Sequence, residues 1–64
     1  MEKKDYLTTW GYLQTLKDIL EQKARDVAAK GGDDNALIAG RYLKDCSDIR
    51  AMQEKIDKEV EGLP

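Results

Sequence analysis

The sequence predicts an all-α protein: two long amphipathic helices folded back on each other as an antiparallel hairpin. Three observations carry this prediction. Apolar residues recur at steps of three and four through two long stretches. The stretches are separated by Gly31-Gly32-Asp33-Asp34, a run of turn-forming residues. The only proline is Pro64, so nothing interrupts either helix from within.

The first helix is expected over about residues 5–30. Asp5 is an acceptable N-cap, which leaves Met1 to Lys4 frayed. Tyr6, Trp10, Leu13, Leu16, Leu20, Ala24 and Val27 follow at helical spacing and share one face. Gly31 stands just after Lys30, where a glycine commonly closes a helix. Residues 31–34 form the turn, and Asp33 or Asp34 caps the second helix near its positive end.

The second helix is expected over about residues 35–61. Ala39, Tyr42, Cys46, Ile49, Gln53, Ile56, Val60 and Leu63 alternate steps of three and four, a heptad-like seam with one polar member, Gln53. Gly62 and Pro64 end it. Each helix is then about 38–42 Å long at ~1.5 Å per residue. Equal lengths and a short turn make residues 1–64 a single helical-hairpin domain. Centring the turn near Gly32 sets Tyr6 against Val60 and Trp10 against Ile56, with Leu13 near Met52 and Ala24 opposite Ala39 and Gly40. Small residues then line the turn end and large ones the open end. On the outer surface, Glu21–Arg25, Asp26–Lys30 and Glu54–Lys58 have the acid-first i,i+4 order that supports a helix.

The apolar residues of each helix spread over roughly 180° of the wheel, wider than the ~100° stripe that one partner helix needs. Each helix therefore has apolar surface for about two neighbours. A compact protein of this mass buries roughly 6,400 Å² on folding, and a two-helix rod is less compact than that. The sequence thus predicts assembly into a homo-oligomeric helical bundle, with the dimeric four-helix bundle as the simplest form.

Composition removes several function classes. Eleven basic and 13 acidic residues leave a net charge of −2, so no bulk field draws the chain to nucleic acid or to an anionic membrane. The longest apolar run, Ala36-Leu37-Ile38-Ala39, is far short of a membrane span. Met1-Glu2-Lys3-Lys4 is followed by no apolar stretch of the signal-peptide kind. The single cysteine, Cys46, allows no intramolecular disulfide, and a cytoplasmic protein is expected. There is no histidine. The commonest general base, a common zinc ligand and any Cys-His nucleophile pair are therefore missing, and no enzyme, metal site or cofactor is expected.

The remaining candidates are surfaces. Leu7, Trp10, Tyr12 and Leu37 are candidate anchors for a larger protein partner, Leu7 and Leu37 because they lie off the main stripes. Lys23, Arg41, Tyr42 and Lys44 are candidates for a small anionic ligand such as a nucleotide, since aromatic and cationic side chains together can stack and pair with one. Against this, Asp45 and Asp48 stand one turn after Arg41 and Lys44 and can neutralise them. Lys17 and Asp45 fall within the apolar arcs of their helices and are a candidate polar pair fixing the register of the core. Cys46 lies on the seam and reads as a buried core thiol.

In length and plan the chain resembles the small helical hairpins that dimerise into four-helix bundles, such as the Rop-like plasmid copy-number proteins. It is also similar in kind to short, charge-balanced phage accessory proteins. The resemblance lies in architecture, with no matching residues, so no site is carried over. It implies a non-enzymatic, oligomeric interaction protein, an inhibitor or adaptor of a larger assembly. The alternatives are an oligomeric sponge for an anionic ligand and a Rop-like RNA-binding hairpin, the latter disfavoured by the net charge.

Overall fold

The computed structural model describes residues 1–64 as two α-helices, α1 (Lys3–Ala29) and α2 (Asp33–Glu61), packed against each other. They span 27 and 29 residues, and the hairpin measures 51 × 14 × 12 Å. Neither helix is long and apolar enough to cross a membrane.

Both helices begin two residues earlier than expected. The cap of α1 is Glu2, whose backbone oxygen accepts from Asp5 N at 3.0 Å and Tyr6 N at 3.2 Å. No side chain caps it. Asp5 instead sits in the first turn, where its carboxylate faces the positive end of the helix dipole. The cap of α2 is Gly32, whose oxygen accepts from Ala36 N at 3.1 Å. Asp33 and Asp34 therefore occupy the first turn rather than the cap. The turn is tied from the other side by Asn35, whose Nδ2 donates to the Gly31 oxygen at 2.7 Å.

The chain reverses in two residues with positive φ, Gly31 at 76° and Gly32 at 89°. This backbone region strains any residue with a Cβ, which is why glycine is needed at both. Before it, Lys30 N and Gly31 N donate to the Val27 and Ala28 oxygens at 3.1 Å each, tightening the last turn of α1.

The core is one seam between the helices. Ala24, Ala39, Cys46, Ile49 and Gln53 are buried. Tyr6, Trp10, Leu13, Leu20 and Val27 of α1 and Tyr42, Ile56 and Val60 of α2 are half-buried beside them. Gln53 is the polar member that the heptad pattern placed on the seam. Its Nε2 donates across the hairpin to the Trp10 oxygen at 3.3 Å and to Gln14 Oε1 at 3.1 Å. A third crossing bond runs from Cys46 Sγ to the Lys17 oxygen at 3.5 Å. These bonds set Gln53 between the levels of Trp10 and Gln14 and Cys46 near Lys17, within one turn of the register expected from a turn centred near Gly32.

The surface ion pairs differ from the expected set. Lys17–Glu21 (3.3 Å), Lys44–Asp48 (3.0 Å) and Arg50–Glu54 (3.7 Å) form with the basic residue first. Glu21 and Glu54 each have a basic neighbour four residues away on either side. Glu21 and Glu54 take the earlier one, and Asp26 accepts from Gln22 Nε2 at 2.9 Å.

Candidate interaction surface

The position of the surface follows from the seam. Along either helix, a side chain about 100° further round belongs to the next residue. The seam fixes which direction of each wheel points inward. Because the helices are antiparallel, a quarter-turn of the same sense from the seam leads to the same side of the hairpin in both. On that side α1 presents Tyr12 and Leu16, with Ile19 further round toward its outer edge, and α2 presents Ile38 and Met52. These five large apolar side chains are 42–74% exposed. Half-buried Leu13, Leu20, Val27, Tyr42 and Ile56 join them to the seam. The result is a face richer in large apolar side chains than the opposite one, with exposed charged residues among them.

The other side of the hairpin has a different character. Asp18, Arg25, Arg50, Glu54, Asp57 and Glu61 are exposed there. Leu7 and Leu43 are its large apolar side chains, 53% and 54% exposed, and they stand far apart along the axis. Leu37, 67% exposed, lies on the outer edge of α2. The wide apolar arcs of the two helices are thus spent on one seam and one face, both on the same side of the molecule.

The four partner-binding candidates do not form one patch. Tyr12 belongs to the apolar face, Leu7 to the charged side and Leu37 to the outer edge. Trp10 is half-buried in the seam, where its Nε1 is enclosed without a hydrogen-bond partner. The anion-binding candidates also divide. Lys23 and Arg41 are exposed on the apolar side at nearly the same level of the hairpin, and Tyr42 is half-buried at the edge of the seam. Lys44 turns outward to Asp48, and that hydrogen bond and carboxylate charge hold its ammonium pKa above the ordinary lysine range.

The expected Lys17–Asp45 pair is not made. Lys17 enters the seam, its side chain 14% exposed, and its Nζ binds Glu21 of its own helix. Asp45 lies about 80° away on its wheel, out of the seam and exposed on the apolar face. A wheel arc of 180° contains both residues but does not say which part of the arc meets the other helix. Gln14 and Glu21, the polar residues that accept from Gln53 and Lys17, were missed for a related reason. They lie at the edge of the seam, one turn from Trp10 and Lys17, and that spacing was the available signal.

Cys46 is free and buried. Burial pushes its thiol pKa up, with the Glu21 carboxylate adding in the same direction, so the reactive thiolate form is suppressed. No three acidic or thiol side chains converge as metal ligands would, and no cavity opens in the hairpin.

No known protein family, curated protein or solved structure matches this chain.

Proposed function

We propose that this protein is a non-enzymatic interaction protein that works as a homo-oligomer. In its simplest form, two hairpins close their apolar faces into a four-helix bundle. The observation that carries the reading is that Tyr12, Leu16, Ile38 and Met52, all large apolar side chains, are exposed on one side of the hairpin, with Ile19 at its outer border and charged residues among them. Exposed apolar surface of this kind marks an interface.

The areas support the same reading. The hairpin exposes 4940 Å², against roughly 4,200 Å² for a compact protein of this mass. The excess, roughly 700 Å², is close to the ~800 Å² that each partner contributes to a standard interface. Folding alone removes about half of the surface of the extended chain, short of the ~60% typical of a small domain.

A binding role also suits the chemistry of the chain. Without histidine, and with its single thiol buried and poorly ionised, it offers no nucleophile–base pair. A larger protein that the bundle inhibits or adapts would meet residues outside the closed face, Leu7 and Leu37 among them.

Light scattering on a sizing column, across a concentration series, tests the reading. The expected mass at low micromolar concentration is a multiple of 7.3 kDa, returning to a single chain when Leu16 and Ile19 are both changed to Asp. A folded wild-type chain that stays at 7.3 kDa throughout would overturn it.

A further inference from the structure

The apolar face carries charged residues along its length, and their order is informative. Lys23 and Arg41 lie toward the turn, Asp5 and Glu59 toward the open end, and Asp45 and Lys55 between them. All six are exposed. The four ion pairs of the hairpin use other residues, so these six are without ionic partners inside one copy.

We infer that two copies pack with their turns at opposite ends, and that these charges select the arrangement. The inference rests on the self-assembly proposed above and adds its geometry. Face-to-face packing of two identical hairpins allows two simple twofold arrangements. In one, the axis lies in the plane of the face and crosses the hairpin, so that α1 stacks on the α1 of the second copy and α2 on its α2, each pair antiparallel. In the other, the axis runs along the hairpin, the turns share one end, and α1 stacks on the α2 of the second copy.

Consider the crossing axis set at the level of Gln14 in α1 and Arg50 in α2. These residues are level within about one residue in the register fixed by the Gln53 and Cys46 bonds. Lys23 then lies nine residues to one side and Asp5 nine to the other. Arg41 and Glu59 lie nine residues either side of Arg50, and Asp45 and Lys55 five either side. The twofold therefore brings Lys23 to Asp5, Arg41 to Glu59 and Asp45 to Lys55 of the second copy, with opposite signs in every pair. It also sets Leu16 against Tyr12 at the centre.

The lengthwise axis does the reverse. It brings Lys23 level with Arg41 of the second copy and Asp5 level with Glu59, like charge on like. Lys30 and Asp34 of the same face would meet with opposite signs about the lengthwise axis, but two levels of like charge oppose that arrangement and three levels of opposite charge favour the crossing one. Rim charges of this kind choose between arrangements more than they add affinity.

The test uses the full chain with Cys46→Ala and Lys30→Cys, carrying a spin label at position 30 beside the turn. None of the six charges is altered. Opposed turns place the two labels on the order of 48 Å apart, sixteen residues of helical rise on each side of the axis at ~1.5 Å each. A dimeric mass with that long distance is the expected result. A dimeric mass with labels within about 20 Å, roughly two helix diameters, would overturn the inference and leave self-assembly standing. A single-chain mass would overturn both. A charge test sharpens the outcome. Lys23→Glu with Arg41→Glu should weaken the dimer by about tenfold or more at low salt, and adding Asp5→Lys with Glu59→Lys should restore it. Weakening without restoration would also count against the pairing.

Discussion

The two halves of the seam are built to different plans. Near the turn, Ala24 and Ala39 face inward and are 3% and 6% exposed. Toward the open end the seam holds Tyr6, Trp10, Ile56 and Val60, all larger, and all of them half-buried. Leu20, Val27 and Tyr42 in the turn half are half-buried as well, and Gln53 in the open half is buried, so the small alanines are what make the turn end tight. The two helices do enclose Ile49 and Gln53, 6% and 4% exposed, but leave the aromatic side chains of the seam half-open. They can enclose a methyl group if the backbones come close, and the turn holds them close. The large residues of the open half need a further layer of protein. The apolar face beside them is where such a layer would fit.

The largest effect expected from this comparison is at Ile49, the buried large residue at the centre of the seam. Ile49→Ala should cost about 2–5 kcal/mol in urea unfolding at fixed protein concentration. The same truncation at half-buried Ile56 should cost less, and equal losses at the two positions would break the contrast between the halves. Next comes overpacking. Ala24→Leu has to fit three more carbons into an enclosed position of the seam and should lose about 1–3 kcal/mol. A neutral result there would mean that the turn half is looser than its burial implies.

The smallest effect is expected at Gln53. Replacing it with Met keeps the volume but removes both bonds to α1, and the change should be within about 1.5 kcal/mol of neutral, in either direction. Its clearer signature would be in specificity. Without the bonds to Gln14 and to the Trp10 oxygen, amide hydrogen exchange in the open half should speed up relative to the turn half. Unchanged exchange would show that packing alone sets the register.

Much of the fold could be read from the spacing of apolar residues. The two helices, the glycine turn and the seam position of Gln53 all follow from helical periodicity and from the backbone that only glycine tolerates. The helix starts could not be read as well, since Asp5 and Asp33 are as favourable in a first turn as in a cap. The candidate site was legible only as an excess. The wheels showed more apolar surface than one partner needs, but not which part of each arc met the other helix. Burial settles that, and it separates Lys17 in the seam from Asp45 on the face. The apolar face emerges only when both helices are set in register, because it is shared between them and complete in neither.

The turn also determines which molecule this sequence makes at all. Gly31 and Gly32 have no atoms near the position a Cβ would take, so no steric crowding forces them to be glycine. Their positive φ angles alone require it. The connectivity of the fold is therefore held by two peptide units, tied only by local hydrogen bonds to Ala28, Asn35 and Ala36. Were both to relax to helical angles, α1 and α2 would run on as one rod, and the inward residues of each half would have to find the complementary half of another chain. Hairpin and exchanged rod use the same seam residues. The choice between them is a matter of local backbone handedness at Gly31 and Gly32.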